Sequence, residues 1–376
     1  MNLQKGDKLT HEQAMSLAIA EAYKGAPYVS PNPLVGCVVL DKADRFLASG
    51  YHTRYGAPHA EVEAFRKLTE AELENSQFFV TLEPCAHEGK TPSCAKSLAK
   101  MKLRSVVYGL TDPNPLVAGQ GAQIIRDAGV ACSEYQGALK SDLEDLAEIF
   151  LKNYREKKLF IAAKVAQSLD GQIALKSGES KWITSESSRE YVHELRSWYD
   201  AVLVGRGTIE ADDPSLDVRH PKIAKDNYLI IIDPQGKILK SIIQDKKEYK
   251  FLKVHSKEKI IFAINESAKQ DYNFFDENKY NFEIFSDLQN LTDKLWCRNI
   301  KSIFIEGGAF TYSTFIKAGL VDRIHVFTAP VIIGSGNGLS WSEKIATQKL
   351  SDKLILKNIK YKLFGVDFYT TGKILK

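Results

Sequence analysis

The stretch Pro58-His59-Ala60-Glu61, read together with Glu83-Pro84-Cys85 and Cys94, decides the first half of this chain. One imidazole and two thiols are the donor set of a catalytic zinc, which takes three protein ligands and leaves its fourth position to water. Glu61 is surplus to that set and stands beside it, where a carboxylate can move a proton to and from the water. His59, Cys85 and Cys94 are therefore the expected metal ligands, and Glu61 the expected catalytic carboxylate. Two plainer readings stand beside this one. The thiols could be ordinary core residues with a hydrogen-bonded His59, or a structural zinc could recruit His87 as a fourth ligand.

The order His-x-Glu, then Pro-Cys, then Cys is the signature of zinc-dependent deaminases of amino-substituted nitrogen rings. Its usual second element is Cys-x-x-Cys. Here eight residues, Ala86 to Ser93, separate Cys85 from Cys94. They include His87, Gly89, Lys90 and Thr91, a set suited to an anionic group such as a substrate phosphate. Lys90 is the expected contact; a solvated loop is the alternative.

Outward from this motif, strands and helices alternate, as in a three-layer α/β domain. Thr10 is placed to cap a helix over His11 to Lys24. Pro31 and Pro33 fix an extended entry to a buried strand ending at Leu40. Asn32, held between them, either presents its amide to a pocket or only shapes the turn. Phe46 to Gly50 reads as the partner strand, and His52 either touches substrate or caps the following loop. Phe78 to Leu82 and Val106 to Leu110 are further strands. Glu83-Pro84-Cys85 is expected to open a helix whose positive end favours a thiolate. Gly119 to Ala128 reads as an amphipathic helix.

Composition bounds the rest. The 376 residues are comfortable for two domains, and 44% hydrophobic with 26% charged residues is a globular balance. A formal charge of +4 is too modest to suggest a nucleic-acid surface. Five unevenly spaced cysteines argue against a disulfide framework and for a reducing compartment, hence the cytoplasm. Met1 to Thr10 has no apolar core, so no signal peptide is expected, and no apolar run is long enough to span a membrane.

Four segments together resemble the deaminase half of the bifunctional riboflavin biosynthesis deaminase/reductase family. They are Pro31 to Gly36, Gly50-Tyr51-His52, His59 to Val62 and Pro84 to Cys94. The long spacing between Cys85 and Cys94 is that family's own variant. One mismatch is Ser93, where the family usually has a second proline; it is expected to alter the loop and not the metal.

Beyond this half, Glu134 to Tyr154 reads as a helical connector with an apolar stripe at Leu143, Leu146, Phe150 and Leu151. The boundary is placed near residue 150, giving domains 1–150 and 151–376. Strands are expected at Leu159–Val165, Ala201–Val204, Leu229–Ile232, Ile260–Ile264, Ser302–Ile305 and Asp322–Val331, with an edge strand at Phe364–Thr370. Gln235 to Lys259, rich in lysine, reads as surface loop. Gly205-Arg206-Gly207 begins like a dinucleotide fingerprint but has Glu210 where the third glycine belongs. Ile305-Glu306-Gly307-Gly308-Ala309-Phe310-Thr311 is a better candidate for a phosphate cradle, or else a plain strand-to-helix turn.

The resemblance continues through this half. Lys164, Ser168 to Gly171, Gly178 to Ser180, Trp182 to Ser185, Ala211 to Pro214 with Leu216 and Arg219, and Glu306 to Gly308 are similar to the reductase half of the same family. The resemblance implies a cytidine-deaminase-like three-layer α/β/α domain followed by a dihydrofolate-reductase-like α/β domain. It implies zinc and NADPH as cofactors. Ala166, Trp182, Thr208, Asp212 and the loop Gly308, Ala309, Phe310, Thr311, Tyr312, Ser313 and Thr314 would line the dinucleotide. Ser180, Arg196, Leu216, Arg219 and Glu306 would hold the phosphoribosyl substrate, with Asn32, His52 and Lys90 serving the deaminase. Lys164 and Glu306 would stand near the carbon that accepts hydride. The implied activity is deamination of a diaminopyrimidinone ribosyl phosphate, then reduction of its ribosyl group to ribityl. The partner is a small molecule, with no nucleic acid and no membrane; a homo-oligomer is expected, although no residue fixes its size. The competing reading is a nucleic-acid-editing zinc deaminase whose second half is a binding module. It would need a basic, aromatic-studded surface.

Overall fold

Gly36–Leu40 (β1) is buried at every position, and so is Gln77–Leu82 (β3), which follows Phe46–Tyr51 (β2). Strands covered on both faces read as unbroken apolar runs, and that is what these are. The computed structural model describes residues 3–87, 92–114 and 118–375. It divides into two units after Lys157.

In the first unit the strand order is β2-β1-β3-β4-β5, with β4 at Ser105–Leu110 and β5 at Ala131–Glu134. β1 runs antiparallel to β2 and β3, while β3, β4 and β5 run parallel. Val38, Leu40 and Phe79 pack with Ala14, Met15 and Ala18 of the helix His11–Tyr23, and with Leu143 and Leu146. Cys37, Val39, Phe78 and Val80 face the other way, onto helices Ala60–Phe65, Cys94–Ala99 and Gln120–Asp127. The result is α/β/α. The first helix is fixed by a capping box in which Thr10 and Gln13 exchange side-chain and backbone bonds. The connector is two helices, Lys140–Leu146 and Glu148–Glu156. Phe150 and Leu151 of the second lie in this unit's core, so the division falls after that helix rather than near residue 150.

The second unit begins with Phe160–Gln167 (β6), Gln172–Leu175 (β7) and Ala201–Gly205 (β8). Tyr228–Ile232 (β9), Ile260–Asn265 (β10), Phe282–Phe285 (β11) and Ser302–Ile305 (β12) follow, then Arg323–Thr328 (β13), Gly338–Ser340 (β14), Leu356–Phe364 (β15) and Asp367–Ile374 (β16). The large sheet has the order β11-β10-β9-β8-β12-β6-β13-β16-β15. It is parallel from β11 to β13 and closes with the antiparallel β16 and β15. β14 and β7 form a separate antiparallel pair.

Two expectations need correction here. The strand expected at the sheet edge, β16, is paired on both sides; the edge is β15, whose alternating lysines and apolar residues hide its strand character. The lysine-rich stretch is no surface loop. It holds the helices Lys237–Ile243 and Lys250–Val254, which bury Ile238, Leu239, Ile242, Ile243 and Phe251 in a core with Val202, Leu229 and Phe262. Composition counted the lysines, but helical spacing decides what is buried. Leu239→Ala should therefore destabilise the protein by about 2–5 kcal/mol in denaturant unfolding. A surface position would change stability by under ~0.5 kcal/mol.

Candidate active sites

The helix Ala60–Phe65 lies so close to β2 that a Cβ on Gly50 would stand 2.4 Å from the Ala60 carbonyl. This contact carries His59, the helix N-cap, and Glu61, in its first turn, to the strand ends. Glu61 is only 3% exposed. Glu83-Pro84-Cys85 does not open a helix; residues 83–86 are irregular. Long-range bonds override the local signal. The Glu83 carboxylate accepts the backbone N–H groups of Asp112 at 3.2 Å, Gly119 at 2.9 Å and Ala122 at 3.1 Å. The helix Gln120–Asp127 presses on this turn, where a Cβ on Gly121 would meet the Pro84 carbonyl at 1.8 Å.

Cys94 is the first residue of its helix. Ser93, the mismatch noted above, caps that helix by accepting from Lys96 N–H at 3.2 Å and donates to the Cys85 carbonyl at 2.7 Å. Its hydroxyl thus ties the two cysteines together. The Cys94 N–H points to Cys85 Sγ at 3.3 Å. His59 Nδ1 lies 3.5 Å from Cys85 Sγ and 3.3 Å from Cys94 Sγ, and the three donor atoms are all within 4.8 Å of one another. Tetrahedral zinc bonds of normal length would set nitrogen and sulfur about 3.6 Å apart. The donor set therefore fits zinc in both chemistry and spacing. His87 lies outside this cluster, so among the described residues the set has three donors and no fourth. The two thiols share a hydrogen bond that is the main cause of Cys85's pKa falling to about 4, and of Cys94's rising. Burial pushes the Glu61 carboxyl up to about 6 against the pull of His59.

His52 both caps and lines. Its Nδ1 donates to the Pro58 carbonyl at 3.0 Å, so Nε2 is the acceptor and takes the Asn32 amide at 3.0 Å. Burial lowers the imidazole's pKa and keeps it neutral. Asn32, His52, His59, Glu61 and Cys85 line an open cavity of about 270 Å³, together with Asp112, Asn114, Phe150 and Tyr154. Those last four carry no motif: two sat in a turn cluster and two on a helix that read as connector. Lys90 lies outside the described residues.

In the second unit, Glu306 follows β12 and is buried. Arg196 grips it with Nε and Nη2 at 2.5 and 3.0 Å, and Lys164 Nζ stands 3.6 Å away. Burial alone would raise the carboxyl's pKa, but the charges of Arg196 and Lys164 outweigh it and hold Glu306 at about 2. Arg196 also donates to the Asp217 carbonyl. Its guanidinium is thus spent inside the protein rather than offered to a phosphate. Arg219 is exposed and bonds Ser215 and Asp217. Leu216 is in the core beside Val202, Val204 and Ile209. His193 lies one turn before Arg196 on the same helix face, a spacing that marks it as a neighbour of the guanidinium. Its Nδ1 accepts the Arg219 backbone N–H at 3.1 Å. Burial and the two arginines lower its pKa to about 4.

The paired glycines form a cradle. A Cβ on Gly307 would stand 2.7 Å from Thr208 Oγ1, and Gly308, at φ +60°, caps the helix Ala309–Lys317. Open backbone N–H groups at such a start suit a pyrophosphate. The stretch expected to be a loop from Gly308 to Thr314 is therefore mostly helix. Phe310 is 65% exposed, but Thr311 is buried, Tyr312 donates to the Lys164 carbonyl and Ser313 to that of Trp341. Thr314 bonds back to the Phe310 carbonyl. The open backbone N–H groups are those of the first turn. Asp212 accepts from Ser180 at 2.8 Å, and Ala166 is half-buried on β6. Trp182 is no core residue: it is 72% exposed, with the Arg189 guanidinium 4.5 Å over its ring.

A zinc-binding deaminase unit followed by a unit with a nucleotide cradle defines a fused deaminase and reductase. Residues 8–110 match the cytidine and deoxycytidylate deaminase zinc-binding region, and residues 159–368 match the RibD C-terminal domain. The riboflavin biosynthesis protein RibD of Actinobacillus pleuropneumoniae is 36% identical over 369 residues, covering 96% of this chain and 94% of that one. Escherichia coli RibD is 35% identical over 338 residues, covering 86% and 89%. A solved structure of Acinetobacter baumannii RibD is 31% identical, covers 96% of this chain and 98% of that one, and has a TM-score of 0.80. A Thermotoga maritima diaminohydroxyphosphoribosylaminopyrimidine deaminase/5-amino-6-(5-phosphoribosylamino)uracil reductase is also 31% identical, with coverage of 97% and 98% and a TM-score of 0.79. This chain belongs to the RibD family of bifunctional riboflavin biosynthesis enzymes, with a zinc-binding deaminase unit and a reductase unit. Its first unit has the cytidine-deaminase-like fold expected, and its second the α/β fold of the RibD C-terminal domain. Among the described residues no helix is long and apolar enough to cross a membrane.

Because the folded pKa of Glu306, about 2, lies below the ordinary 4.5, its ionised form stabilises the fold above pH ~4.5. That stability should fade as pH falls from there through 2. Chemical unfolding of the wild type and Glu306→Gln should show a difference that shrinks across this window and is constant above it.

Proposed function

We propose that the first unit hydrolytically deaminates 2,5-diamino-6-ribosylamino-4(3H)-pyrimidinone 5′-phosphate. The second unit then reduces the ribosyl group, giving 5-amino-6-(5-phosphoribitylamino)uracil. The Thermotoga relative bears these two activities in its name. The observation that carries the deaminase reading is the trio His59, Cys85 and Cys94 with a buried Glu61 beside it. Bound there, zinc would supply a Lewis acid with one open position for water. Glu61 takes a proton from the attacking water and returns it to the departing nitrogen, so a ring amine and water become a ring carbonyl and ammonia. His52, held neutral with its Nε2 accepting, fixes the Asn32 amide, whose oxygen remains to accept from the ring.

Bound in the second unit, NADPH would supply hydride to the anomeric carbon. As that carbon–oxygen bond breaks, the ring oxygen needs a proton. Glu306 is ionised and gripped by Arg196, so it holds Lys164 in place and Lys164 donates the proton. Thr208, Gly308, Ala309 and Phe310 meet the dinucleotide, flanked by Trp182 and by Asp212 with Ser180. Arg219 meets the sugar phosphate. A cytoplasmic homo-oligomer accompanies this reading; five unpaired cysteines support a reducing compartment.

Glu61→Gln should lower ammonia release at least ~100-fold, the scale of lost general acid–base catalysis. Zinc content and NADPH oxidation with the deaminated substrate should be unchanged. Loss of zinc, or of both activities together, would overturn the role given to Glu61.

A further inference from the structure

The zinc-binding match ends at residue 110 and the reductase match begins at residue 159, so the helix Glu148–Glu156 belongs to neither. Yet Phe150 and Tyr154 from this helix line the deaminase cavity. They stand four apart on one helix face, with ring centroids 6.1 Å apart. Phe150 also packs against the core, and the Lys157 ammonium sits 4.2 Å over the Tyr154 ring, which limits how either ring turns. The other groups around the cavity divide by chemistry. Asn32, His52, Glu61, Asp112 and Asn114 are polar and suit the edge and the reacting carbon of a planar heterocycle, while Pro33, Val35 and Leu82 add small aliphatic surfaces. A flat ring also needs a surface for its face, and Phe150 and Tyr154 are the carbocyclic aromatic rings that the cavity offers.

We infer that Phe150 and Tyr154 are specificity-determining residues of the deaminase, forming the wall against which the pyrimidinone ring packs. This rests on the deaminase reading above. The segment outside both family matches would then decide which nitrogen ring the general zinc chemistry meets.

The test uses the full-length, zinc-loaded chain. Ammonia release is followed against substrate concentration for wild type, Phe150→Ala, Tyr154→Ala, the double variant and Tyr154→Phe. Arg155→Ala, exposed on the same helix, is the control. Each alanine variant should raise KM about tenfold, the scale of losing one ring–aromatic stack, with kcat within about twofold. Tyr154→Phe should restore most of the affinity, and Arg155→Ala should match wild type. An unmoved KM in the double variant, or a fall in kcat at constant KM, overturns the inference. Should the double variant lose zinc, Tyr154→Ala alone decides on the same criterion. Absence of ammonia release by wild type would instead sink the deaminase reading itself.

Discussion

The metal corner depends on two backbone approaches that only a hydrogen side chain permits. One lays the His59 helix on β2 at Gly50; the other lays the helix Gln120–Asp127 on Pro84 at Gly121. The three donors come from three different local structures: a helix cap, an irregular turn and a helix start. Nothing local makes them converge. A methyl group at either glycine would push backbone apart by an ångström or more, whereas a metal site tolerates displacements of about 0.5 Å. Ser93 and Glu83 complete the arrangement by satisfying backbone groups that the turn leaves without partners.

The second unit solves a different problem. A buried carboxylate is costly unless it is paired and well bonded. Glu306 is gripped by Arg196 on one side and attended by Lys164 on the other, which keeps it charged. The same carboxylate holds Lys164 midway along β6. His193 and the Asp217 carbonyl extend the network to the segment bearing Arg219. Charge in this half organises position, while in the first half the buried polar groups form a metal-donor set.

Much of this was legible in the residues. The zinc ligands and Glu61 show because their chemistry demands particular types in a particular order, and most strands show because they are unbroken apolar runs. What stayed hidden depends on distance or on ambiguity of pattern. Arg196 looks like a phosphate ligand until a carboxylate 110 positions away is brought against it. Leu216 lies in a polar stretch but folds into the core. Phe150 and Tyr154 obey the helical period that any core stripe obeys, so the sequence cannot tell wall from core. Pro84 signals a helix start locally, and three bonds to a distant loop and helix overrule it.

The commitment of Arg196 to Glu306 leaves Arg219 as the guanidinium of this network that faces solvent. Its attraction for any anion works through solvent. Counterions weaken such attraction over a Debye length of about 8 Å at physiological ionic strength. The reach of that charge is thus sensitive to the ionic medium, while the sheltered Arg196–Glu306 pair is not.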